Sequence, residues 1–92
     1  MRNEKLISQI TKLAPKILLA DGFDDALIGI TYRDDELVAL YSEEKIIQML
    51  IHEHDMTCDD AIEYFGYNIE GSYMGKKTPV YYRFGFYDEE DI

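Results

Sequence analysis

Two hydrophobic periods meet at Ser42, and that junction most constrains what this chain can fold into. Before it lie Ala26 to Tyr32 (ALIGITY) and Leu37 to Tyr41 (LVALY), both rich in β-formers, with only the polar stretch Arg33 to Glu36 between them. Two such runs across a short polar stretch predict a β-hairpin. After Ser42 the spacing becomes helical through Ile46, Ile47, Met49 and Leu50, with His54 at the end of the series. Ser42 is placed to cap that helix, and Glu43 and Glu44 carry charges suited to a helix N-terminus. Thr57 is placed as a second N-cap, with Asp60 three residues on in a capping-box-like position. Its helix presents Ala61, Ile62, Phe65 and Ile69 as an apolar face, which Gly66 weakens and Gly71 ends.

Upstream, Leu6, Ile7, Ile10, Leu13 and Ala14 mark one face of a first helix. Pro15 should end or kink it, because proline lacks an N–H and pushes the preceding residue out of helical geometry. Ile17 to Ala20 reads equally as helix or short strand before the Asp21-Gly22 turn. Downstream, Gly71 to Pro79 reads as a loop, Val80 to Phe86 as the last strand, and acidic Asp88 to Asp91 as a frayed end. The expectation is an α+β fold: an antiparallel sheet of three to four strands with two to three helices on one face. No repeat or linker divides the 92 residues, so one domain over 1–92 is expected. A chain of this length buries only ~60–65% of its unfolded surface. That thin core favours a homodimer.

Charge narrows the function classes. The formal net charge is −10, but residues 21–71 hold fourteen acids against Arg33 and Lys45, a local balance of −12. Residues 1–20 balance to +3 and residues 72–92 to −1. An anionic body repels phosphate backbones, since nucleic-acid affinity comes largely from Lys and Arg displacing counterions, so direct binding of DNA or RNA is not expected. A basic surface on another protein is the complementary partner. The acids concerned are Asp24, Asp25, Asp34, Asp35, Glu36, Glu43 and Glu44, on predicted turns and a helix start close in sequence. A hairpin would let one end of the molecule present several together; alternatively they form a solubility coat. An apolar content of 47% is too high for a disordered acidic tail. No apolar run approaches the ~20 residues of a membrane span, the N-terminus lacks a signal-type apolar core, and a lone Cys58 suits a reducing compartment. A cytoplasmic location without membrane association is expected.

No catalytic constellation emerges, which points to a non-enzymatic protein without cofactor. His52, His54 and Cys58 supply one ligand fewer than a structural zinc site uses, and no further His or Cys exists. Asp21, Asp24 and Asp25, with Asp34, Asp35 and Glu36, do not match a calcium-loop spacing, and Asp is common in turns for local reasons. Gly75-Lys76-Lys77-Thr78 is not a P-loop: Gly71 and Gly75 enclose three residues rather than four, and a second lysine intervenes. A looser phosphate-binding loop of Asn68, Gly71, Gly75, Lys76, Lys77 and Thr78 stays open beside an ordinary surface turn. The eight tyrosines cannot all bury their hydroxyls in so small a core, though Tyr41 and Tyr82 can face it. They close core edges or anchor a protein-binding surface.

The strings DGFDDALIGI, VALYSEEKIIQMLI and MTCDDAIEYFGYNIEGSYMGKKTP resemble a family of small, acidic proteins carried by bacteriophages, for which no activity is settled. The resemblance spans residues 21 to about 80. It rests on Gly22 to Asp25, Glu63 to Phe65, Asn68, Gly71, Gly75 and Thr78-Pro79. It implies a phage-type protein acting in the cytoplasm of an infected host cell. There it would block a host defence factor or CRISPR effector through its acidic surface. Two alternatives accompany that expectation: a sponge that sequesters a nucleotide immune signal through Asn68 to Pro79, and a structural or dimerising protein without inhibitory role.

Overall fold

The computed structural model describes residues 4–72 and 75–83. Helix α1 spans Glu4–Leu13, strand β1 Leu27–Arg33, strand β2 Glu36–Ser42, helix α2 Glu43–Glu53, helix α3 Cys58–Tyr64 and strand β3 Val80–Tyr82. A 3₁₀ turn at Asp24–Ala26 leads into β1, and α3 runs on as a π-helical segment over Phe65–Glu70. The arrangement is α+β, as the change of period at Ser42 predicts. Both N-caps form: the Ser42 hydroxyl accepts from the Lys45 N–H and the Thr57 hydroxyl from the Asp60 N–H, each at 3.1 Å.

The sheet order is β1-β2-β3. β1 and β2 pair antiparallel from Arg33↔Glu36 to Leu27↔Tyr41, with Ile28 as an extra residue bulged between Leu27 and Gly29. β3 pairs parallel to β2, placing Val80 beside Leu40 and Tyr82 beside Ser42. The sheet is therefore mixed rather than wholly antiparallel. The reason is connectivity: α2, α3 and the π segment carry the chain back before it re-enters the sheet, as a parallel crossover requires. The expected last strand is described only over Val80–Tyr82; residues 84–92, including the acidic end, lie outside the described residues.

All three helices pack on one sheet face. Its core joins Leu27, Ala39 and Tyr41 of the hairpin to Ile10 of α1, Ile46, Met49 and Leu50 of α2, and Ala61 and Phe65 of the last helix. The other face carries Ile28, Leu40 and Tyr82 around an apolar hollow of about 410 Å³. Strand alternation thus turns Tyr81, not Tyr82, toward the core. Two other expected core positions are exposed: Leu13 at the end of α1, and Ile62, because Ala61, Phe65 and Ile69 alone form the inward stripe.

Tyr41 ties these layers together. Its ring is fully buried and lies 5.9 Å from the Tyr81 ring, which meets Phe65 edge-on at 5.4 Å. Its hydroxyl accepts the Ala20 N–H at 2.7 Å. Ile17 to Ala20 is accordingly neither helix nor strand but an irregular connection pinned to the sheet by a side chain. Burial pushes the Tyr41 hydroxyl up to about 12, against a smaller opposing effect of the Ala20 hydrogen bond. A raised folded value means that stability is intact below pH 10, where the unfolded tyrosine is still protonated, and is lost as pH climbs toward 12. Roughly 2 kcal/mol should disappear over that window. Tyr41→Phe should cost about 1–2 kcal/mol at neutral pH, because the Ala20 N–H loses its acceptor. Urea denaturation of that variant from pH 7 to 12 should show a shallower alkaline decline than the unaltered chain; parallel declines would contradict the assignment.

The π segment explains the two glycines of the last helix differently. The Gly71 N–H reaches back five residues to the Gly66 carbonyl at 3.1 Å. A Cβ on Gly71 would lie 2.9 Å from that oxygen and 3.1 Å from the Tyr67 carbonyl oxygen, whereas one on Gly66 meets nothing within 4 Å. Gly71→Ala should therefore destabilise by about 1–3 kcal/mol through forced backbone movement. Gly66→Ala should stabilise by up to about 1 kcal/mol by reducing the chain's unfolded freedom. Thermal melts of the two variants test this, and a reversal of their order would refute the π geometry.

Candidate functional site

The seven sequence-selected acids do not converge. Asp34 and Asp35 are the two central residues of the hairpin turn, and both have positive φ, 51° and 69°, as a two-residue turn of type I′ requires. Asp24 and Asp25 sit in the 3₁₀ turn before β1, and Glu43 and Glu44 begin α2 just after β2. Those two pairs lie at the opposite end of the hairpin from Asp34 and Asp35. At ~3.3 Å per residue, the seven residues of β1 separate the ends by about 20 Å.

Each end is also partly neutralised. At the tip, Lys77 Nζ donates to Glu36 Oε1 at 2.9 Å, and Arg33 Nη2 donates to the Lys76 carbonyl at 3.1 Å. The Lys77 hydrogen bond and charge hold the Glu36 carboxyl below its ordinary range, so this contact stabilises near neutral pH and is lost as acid protonates Glu36. At the far end, Glu43 is buried and accepts from Arg83 twice, Nε to Oε1 at 3.0 Å and Nη2 to Oε2 at 2.8 Å. That fork fastens the end of β3 to the first turn of α2, where a carboxylate also suits the helix dipole. Glu36 and Glu43 are thus structural ion-pair members. Asp24 and Asp25 are half-buried beside Asp21, Met49 and Glu53.

The phosphate-loop grouping also separates. Gly75 has a φ of +92°, and its carbonyl accepts both the Thr78 hydroxyl at 2.7 Å and the Thr78 N–H at 3.2 Å. Thr78 is buried and closes this turn, while Lys77 is held by Glu36. Asn68 and Gly71 belong to the π segment, where Asn68 lines a hollow with Tyr64 and Tyr67. The Lys76 carbonyl and the Lys77 ammonium therefore brace the hairpin tip, and neither lysine lines the hollow that holds Asn68. Among the described residues, no three His, Cys, Asp or Glu side chains group to hold a metal ion, and no helix is long and apolar enough to cross a membrane.

The surface missed by sequence reasoning is the outward side of α3 and the π segment. Asp60, Glu63, Tyr64 and Tyr67 recur at i, i+3, i+4 and i+7, so they share one helix face. Tyr64 is 41% and Tyr67 78% exposed. With Met56 and Asn68 these four residues line a groove of about 450 Å³. Asp55, with a φ of +57°, turns the chain after α2 so that the Met56 N–H returns to the Leu50 carbonyl, and Met56 both packs on the core and lines the groove. Residues 46–75 contain six acids and no Lys or Arg. That run was the available signal, obscured by averaging charge over residues 21–71.

The chain matches no family model, no curated protein and no solved structure. The hairpin tip makes its own prediction. Asp34→Asn with Asp35→Gly supplies the residues that tolerate positive φ best, and should raise stability by about 1 kcal/mol in urea denaturation. A loss of stability would mean that the two aspartates are held by something other than turn geometry.

Proposed function

We propose that this chain is a non-enzymatic binding protein of phage type that inhibits a host factor by laying its anionic surface against a basic surface of that factor. The observation behind it is the exposed face of α3 and the π segment, where acids and tyrosines interleave within thirty residues that carry no Lys or Arg. Long-range attraction from such a face speeds encounter, and tyrosines supply the apolar area that charge alone does not. The hairpin-tip acids contribute less, since Lys77 and Arg33 sit beside them.

The test is capture from bacterial lysate followed by association kinetics with the captured protein at low and high salt. Asp59→Lys, Asp60→Lys and Glu63→Lys together should slow association by about tenfold or more at low ionic strength, and much less when salt shortens the Debye length. Asp34→Asn with Asp35→Asn should change the rate little. An unchanged rate in the helical triple variant would reduce the acids to a solubility coat and sink the proposal.

A further inference from the structure

Acidic residues on a helix are ordinarily a solvated face, and carboxylates alone do not make a site. The α3 groove differs in three ways. It is a shallow, open hollow of about 450 Å³, and Met56, one of the residues lining it, packs on the core. Two tyrosine rings, Tyr64 and Tyr67, stand exposed on its wall one turn apart. Two carboxylates, Asp60 and Glu63, line it as well, and among the described residues the lining contains no cation. An anion would meet two like charges there. A neutral apolar group would displace water from two carboxylates without offering them a hydrogen-bond donor.

We infer that the groove between Met56 and the Asp60–Tyr67 face receives an arginine side chain projecting from the basic surface of the protein partner. A guanidinium matches the lining chemically. It is flat and weakly hydrated, so it stacks on a tyrosine face, and its fork of N–H donors suits a carboxylate. The Asn68 amide offers a further acceptor on the same wall. A lysine ammonium keeps its hydration more tightly and satisfies the charges without using the rings. This inference rests on the proposed function and deepens it: the broad anionic surface steers, and the groove selects arginine over lysine.

Hexa-arginine and hexa-lysine peptides carry the same side-chain charge, so their difference isolates stacking from steering. Titrated into the full chain at fixed salt, hexa-arginine should bind at least about fivefold more tightly. Its largest shifts should fall on the ring resonances of Tyr64 and Tyr67. Tyr64→Leu with Tyr67→Leu should weaken hexa-arginine by about fivefold or more and so bring it level with hexa-lysine; both rings are exposed, and thermal melting confirms that the variant is folded. Equal affinities, or an arginine preference that survives the double variant, would overturn the groove while leaving the anionic-surface reading intact. Failure of both peptides to bind would overturn both.

Discussion

Tyr41 is the constraint on which the remaining structure depends. One buried side chain accepts the Ala20 N–H and packs against Tyr81, which in turn meets Phe65. Three segments distant in sequence are thereby held to β2: the connection from α1, the returning strand β3, and the start of the π segment. A core this small has few residues that can do so, and the other fully buried large side chains, Ile46, Leu50 and Val38, offer no polar atom. A phenol supplies both apolar area and one hydrogen-bonding group, which suits a junction where an irregular backbone segment must be satisfied without a strand partner.

The position of β3 governs the electrostatics. Its parallel register beside β2 brings Lys77 to Glu36 at one end and Arg83 to Glu43 at the other. Two of the most prominent acids are thus consumed in closing the fold, and the two lysines of the glycine-rich loop are drawn to the hairpin tip. Among the described residues, no strand pairs with the outward side of α3, and its acids Asp60 and Glu63 stay exposed. The proposed partner surface is placed on that face for this reason.

Much of the fold was legible in local sequence. Ser42 and Thr57 cap the helices they precede, Pro15 follows the end of α1, and Arg33 to Glu36 turns the hairpin. These signals act over a few residues, where sequence spacing and spatial distance coincide. The parallel placement of β3 had its clue in the two helices that separate it from β2. The π segment had none, since FGYNIE carries an ordinary helical pattern and the close approach at Gly71 exists only once the wider turn has formed. The division of the acids into two ends was equally hidden. Asp24 and Asp35 are near in sequence, but an extended strand lies between them.

The most direct measurement of this account is amide hydrogen exchange at Ala20. The account predicts that the Ala20 N–H, donated to a buried hydroxyl, exchanges as slowly as the amides of β2 and opens only with global unfolding, while the amide of Leu18, an exposed residue two positions earlier, exchanges far faster. Exchange of Ala20 at the same rate as Leu18 would contradict it, because Tyr41 would then not be holding the connection to the sheet.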